Sequence, residues 1–170
     1  MRRLSVIWML ALAGLLSGCA GYRLGPSNGQ SAGDRTVQVM PFANRTLEPR
    51  LGDAATSAVR KEIQREGTFR LANDSFTDLI ITGEITRYER GEVSFLPSDV
   101  ATARDYQLGL GARVVARERI TGKIVMEREL VGSAIMRAGA DLPSAERQTL
   151  PVLAADLARQ ITAALADGTW

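Results

Sequence analysis

Tyr106-Gln-Leu-Gly-Leu-Gly-Ala-Arg-Val-Val-Ala-Arg117 alternates its side chains with a period of two. Tyr106, Leu108, Leu110, Ala112, Val114 and Ala116 share one side, and Gln107, Gly109, Gly111, Arg113, Val115 and Arg117 the other. Successive side chains of a strand point to opposite faces, so the stretch predicts a long strand with one buried and one more exposed face. Gly109 and Gly111 inside it mark a bulge or a close backbone approach. Thr121-Gly122-Lys123 reads as a hairpin turn, and Ile124 to about Met136 as the returning strand.

Upstream, a polar segment with Pro97 and Ser98 predicts a loop over roughly 91–103, preceded by a strand from Leu79 to Tyr88. The run Leu79-Ile-Ile81 predicts burial on both faces where that strand starts. Phe69 to Ala72 forms a short strand, and Gly67 before it is placed to stop a helix. That helix runs from about Glu48 to Glu66, with Pro49 in its first turn and Leu51, Ala55, Ala58, Val59 and Ile63 on one stripe. A first strand spans Thr36 to Phe42, ended by Pro41.

After a loop holding Gly139 and Pro143 comes a second helix, with Leu150, Leu153, Ala154, Leu157, Ile161, Ala164 and Leu165 as its apolar stripe. Its N-cap is Ser144, or else Thr149 with Pro151 in the first turn. The order β-α-β-β-β-β-α, with two amphipathic helices and a half-apolar sheet, predicts an α+β two-layer sandwich. Its mostly antiparallel or mixed sheet has four to five strands, and both helices lie on one face. A single domain over residues 36–170 accounts for the pattern.

The N-terminus carries a different signal. Arg2-Arg3 is followed by a 13-residue apolar run, Leu4 to Leu16, and then by Ser17-Gly18-Cys19. A basic start, an apolar centre and small residues before a cut describe a secretory signal peptide over residues 1–18. The run is too short to cross a bilayer core of about 30 Å as a helix, which needs roughly 20 residues. Leu16-Ser17-Gly18-Cys19 matches the bacterial lipobox, which makes Cys19 the expected site of a covalent diacylglycerol and an N-acyl chain. Cys19 is the sole cysteine, so no internal disulfide can form. Ala20 stands where an Asp would retain the protein at the inner membrane in enterobacterial sorting, so the outer membrane, on its periplasmic face, is the expected location. Residues 20–35 are rich in Gly, Ser and Asn and read as a tether behind the lipidated terminus, with Tyr22 and Leu24 able to begin a short docking strand.

Charge and composition exclude several classes. Of 21 basic residues, Arg2 and Arg3 fall in the signal, leaving 19 against 19 acidic ones. The processed chain is neutral and lacks the basic excess of a nucleic-acid binder. With no histidine and a single cysteine spoken for, the common metal-ligand sets and the Ser-His or Cys-His dyads cannot be built. No G-x-x-x-x-G-K-[ST] cradle occurs. Glu84, Glu89, Glu92 and Asp99 are spaced as on a solvated sheet face, so no metal, no separate cofactor and no enzymatic activity are expected. Arg87, Arg90 and Arg104 flank the 91–103 segment and could meet a phosphorylated glycolipid headgroup, because guanidinium forks match phosphate oxygens. Arg113, Arg117 and Arg119 lie on the less apolar face of a strand. Interleaved Glu89, Glu92, Glu118, Glu127 and Glu129 also fit a mixed-charge surface.

Several stretches together resemble the LptE family of lipopolysaccharide-assembly lipoproteins. They are the lipobox followed by Gly21-Tyr22-Arg23-Leu24, the segment Val37 to Thr46, and the helix segment Thr56 to Ile63. Leu79 to Tyr88, Ala103 to Tyr106, Thr121-Gly-Lys123, Glu146-Arg147 and Leu153 to Ala158 extend the likeness over most of residues 15–166. The resemblance implies a sheet packed on one side by two helices. It also implies an outer-membrane lipoprotein that sits inside the β-barrel protein LptD and helps lipopolysaccharide reach the cell surface. Leu96 and Pro143 stand about where some family members carry basic loop residues. Another lipoprotein adaptor, such as a peptidoglycan-synthase activator, is the alternative, although residues 20–35 make a short tether for reaching the cell wall.

Overall fold

The computed structural model describes residues 33–73, 76–96, 99–137 and 141–168, with the side chains of 94–104 left aside. The strands are β1 Arg35–Val39, β2 Ala43–Asn44, β3 Phe69–Leu71, β4 Leu79–Leu96, β5 Asp99–Glu118 and β6 Ile124–Arg137. The helices are α1 Leu51–Glu66 and α2 Leu142–Ala166. The sheet order is β3-β1-β4-β5-β6, with β2 beside β4. β1 runs parallel to β3 and β4, and β4, β5 and β6 are antiparallel neighbours. Parallel neighbours need a crossover, and α1 supplies it between β1 and β3.

The alternation in β5 decides the layering as expected. Leu108, Leu110, Ala112, Val114 and Ala116 are buried and join one core with Leu51, Ala55, Val59 and Ile63 of α1 and Leu153, Leu157, Ile161 and Leu165 of α2. Both helices therefore cover the same face of an α+β sheet. Full burial of each large aliphatic side chain contributes about 1.5–3 kcal/mol, so this layer supplies much of the driving force for folding.

The helix ends differ from expectation for local reasons. Helix α1 begins at Leu51 rather than Glu48. Asn44 Oδ1 accepts from Thr46 N at 3.0 Å and Asn44 Nδ2 donates to Glu48 O at 2.8 Å, holding that stretch as a turn. Arg50 then adopts a left-handed φ of 69° before the helix starts. At the other end Gly67, at φ 81°, donates to Ile63 O and stops the helix as its sequence position predicts. In α2 neither Ser144 nor Thr149 is the N-cap: Asp141 is, accepting from Ser144 N at 3.3 Å. Pro143 lies in the first turn, and Pro151 is interior.

The expected 91–103 loop is mostly strand. β4 continues to Leu96 and β5 starts at Asp99, and residues 97 and 98 lie outside the described residues. Cross-strand pairing with β5 keeps the sequence extended where Pro97 and Ser98 argue for a loop. At the start of β4, Leu79 and Ile81 are buried and Ile80 half-buried, so the double-sided burial is partial.

Candidate functional site

Across β4, β5 and β6 the face turned away from the helices lies open. Its centre is built by a bulge. Ile85 pairs with Ala112 and Arg87 with Gly111, so Thr86 is an extra residue in β4. A Cβ on Gly111 would stand 3.3 Å from Arg87 Cβ, which explains the glycine as the close approach its position in the strand pattern indicates. A shallow depression of about 260 Å³ forms there, lined by Arg87, Gly111, Glu129 and Val131.

Ion pairs surround it. Arg87 Nε lies 3.4 Å from Glu89 Oε1, and Arg113 Nη2 donates to Glu129 Oε1 across strands at 3.3 Å. Arg45 Nε donates to Glu84, joining β2 to β4 and raising the guanidinium above its ordinary value. Val131 and Ile135 add exposed apolar side chains between the charges. The open face is thus polar and internally charge-compensated.

A second cluster lies on the helix side, toward the far end of the β4–β5 hairpin. Past the bulge, Tyr88 and Arg90 pair with Leu110 and Leu108 and so face the helices. The Tyr88 hydroxyl donates to Glu146 Oε1, and Arg90 Nη1 donates to Glu146 Oε2 at 3.2 Å. The Arg90 guanidinium stands 5.7 Å from the centre of the Tyr106 ring. Burial, then the Glu146 hydrogen bond, push the Tyr88 phenol well above its ordinary value of 10. The cluster ties the first turns of α2 to the long hairpin.

The three arginines singled out in the sequence are not gathered together. Arg87 faces the open side and Arg90 the helix side, bound to Glu146. Arg104 belongs to β5, but its side chain falls outside the described residues, as do Cys19 and the lipobox residues Leu16, Ser17 and Gly18. Among the candidate acids, Glu84 and Glu89 are paired with arginines, and Glu92 lies opposite Tyr106 on the helix side. No His, Cys, Asp and Glu group that could hold a metal occurs among the described residues, nor is any helix there long and apolar enough to cross a membrane. Tyr88 and Glu146 as partners were not legible in the sequence, because the bulge that turns Tyr88 inward is signalled only by Gly111 on the partner strand, which does not fix its place in β4.

Solved structures share this architecture. The hypothetical protein CT253 from Chlamydia trachomatis aligns with a TM-score of 0.58 at 10% identity, covering 79% of this chain and 97% of its own. Protein XCC0632 from Xanthomonas campestris gives 0.55 at 10% identity, covering 82% and 88%. A minor lipoprotein from Acinetobacter baumannii gives 0.51 at 16% identity, covering 78% and 92%. At these identities the likeness concerns the fold. No curated protein matches the sequence. A family model described as LptE, Lipopolysaccharide-assembly, matches residues 35–165.

Proposed function

Because the chain belongs to the LptE lipopolysaccharide-assembly family, we propose that it is a non-enzymatic plug and assembly partner of the LptD β-barrel, anchored by acylated Cys19. The observation that carries this reading is the extent of the family match, which spans β1 to the last turn of α2. In this reading the lipid on Cys19 holds the domain on the periplasmic face of the outer membrane. The open sheet face supports the barrel partnership, because its compensated ion pairs suit a polar barrel lumen. Lipopolysaccharide is the transported molecule, and Arg87, Arg90 and Arg104 are the candidate contacts for its phosphates. Of the two whose side chains are described, both are paired with a glutamate, and Arg87 is the more exposed.

The test is affinity purification of the lipidated protein from detergent-solubilised outer membrane. Recovery of a large barrel protein in comparable amount supports the reading. Recovery of a peptidoglycan synthase in its place, or of no partner, overturns it. Intact mass of the purified chain reports separately on whether Cys19 carries acyl chains.

A further inference from the structure

The end of the domain where the described chain begins has a character of its own. Gly33 donates to Thr68 O at 2.9 Å, Thr36 donates from N and Oγ1 to Asp78 Oδ2, and Arg119 N donates to Asp78 O at 2.8 Å. These bonds bring together the chain entry, the segment leading into β4 and the β5–β6 turn. Two large apolar side chains project from this rim: Phe76 is 88% exposed and Ile120 90% exposed. Arg119 and Lys123, both exposed, flank Ile120. Asp78 and Glu118, also at this end, are engaged by the hydroxyls of Thr36 and Thr121.

We propose that this end is a membrane-contacting surface in which Phe76 and Ile120 enter a phospholipid bilayer at its headgroup boundary, with Arg119 and Lys123 against lipid phosphates. Apolar tips flanked by cations are the composition of interfacial anchors. The inference rests on the reading of Cys19 as acylated, which supplies the orientation. Residues 19–33 reach at most about 50 Å when fully extended, whereas β5 at its 20 residues is about 65 Å long. A tether shorter than the long strand holds the entry end, rather than the far hairpin end, toward the lipid. A lone exposed phenylalanine or isoleucine is ordinary on a protein surface. Two on one rim, at the end the anchor must face, are what a bilayer surface would use.

The experiment uses the mature lipidated chain in phosphatidylethanolamine–phosphatidylglycerol vesicles with brominated acyl chains. In a Trp170→Phe background, a single tryptophan is placed by Phe76→Trp, Ile120→Trp or, near Glu48 and away from this rim, Leu47→Trp. The expected result is strong bromine quenching and a blue-shifted emission at positions 76 and 120 and neither at 47. Equal quenching at all three positions, or none at 76 and 120, overturns the proposal. A second arm uses Cys19→Ser, which removes the acyl chains, and measures flotation with the same vesicles. There Phe76→Ser and Ile120→Ser should each lower partitioning about tenfold, and unchanged partitioning overturns the proposal. If the wild-type chain proves unacylated by mass, the reading of Cys19 fails, while this second arm still decides the rim.

Discussion

The backbone nitrogen of Leu157 lies 2.6 Å from where a Cβ on Gly132 would stand, so α2 rests directly on the backbone of β6. Beside this contact Asp156 Oδ2 accepts from Ser133 N at 2.8 Å, covering part of an edge strand that would otherwise present unpaired amides. Helix and sheet edge are thus joined by a close approach that no side chain larger than hydrogen permits.

Gly132→Ala should therefore destabilise the fold by about 1–3 kcal/mol, because the obstacle is helix backbone and cannot rotate away. Gly91→Ala, where an added Cβ meets nothing within 4 Å, is the control. Urea unfolding of both variants checks the difference, and equal midpoints would contradict the packing argument.

Thr56 is buried and joins two elements: its hydroxyl accepts from Phe42 N at 2.9 Å and donates to Gly52 O at 2.7 Å. Thr56→Val keeps the shape and orphans the Phe42 amide, a loss of about 1–3 kcal/mol. Phe42 in turn covers Gly83, so loosening should also increase hydrogen exchange at residues 42–44. Thr56→Ser, which retains the hydroxyl, should recover most of the exchange protection.

Tyr88 makes stability depend on alkaline pH. Its proton is held more tightly in the folded chain than in the unfolded one, where the phenol titrates near 10. Burial first, and the bond to Glu146 second, disfavour the phenolate in the folded chain, so stability holds below pH 10 and falls as pH rises above it. Tyr88→Phe should consequently lower stability at pH 8 yet lose less between pH 9.5 and 11 than the parent. Thermal unfolding across that range is the measurement, and parallel curves would remove Tyr88 from the account.

Arg50 holds a left-handed backbone at φ 69° just before α1. Glycine adopts that conformation without the Cβ clash, so Arg50→Gly should stabilise the protein by about 1 kcal/mol. A fall in melting temperature would mean that the Arg50 side chain contributes more than its strain costs.

Much of the architecture could be read from short-range pattern, and the misreadings share a cause. The β5 alternation, the α1 stripe and the Gly67 stop are statements about neighbours within one or two turns, and local sterics enforce them. The 91–96 stretch, next to Pro97 and Ser98, reads as part of a loop, yet pairing with residues of β5 makes it strand. Pro151 looks like a helix start and lies inside α2, where Leu153 and Leu157 anchor the turns that follow to the core.

By itself the sequence determined the two-layer α+β plan, the neutral charge once the first residues are set aside, and the absence of histidine-based chemistry. Only the tertiary structure decided which charges share a surface. The single extra residue Thr86 reverses the parity of β4, sending Arg87 to the open face and Tyr88 and Arg90 to Glu146 on the helix side. A strand's period of two is a local property, but its register is set by its partner, and one bulge exchanges its faces.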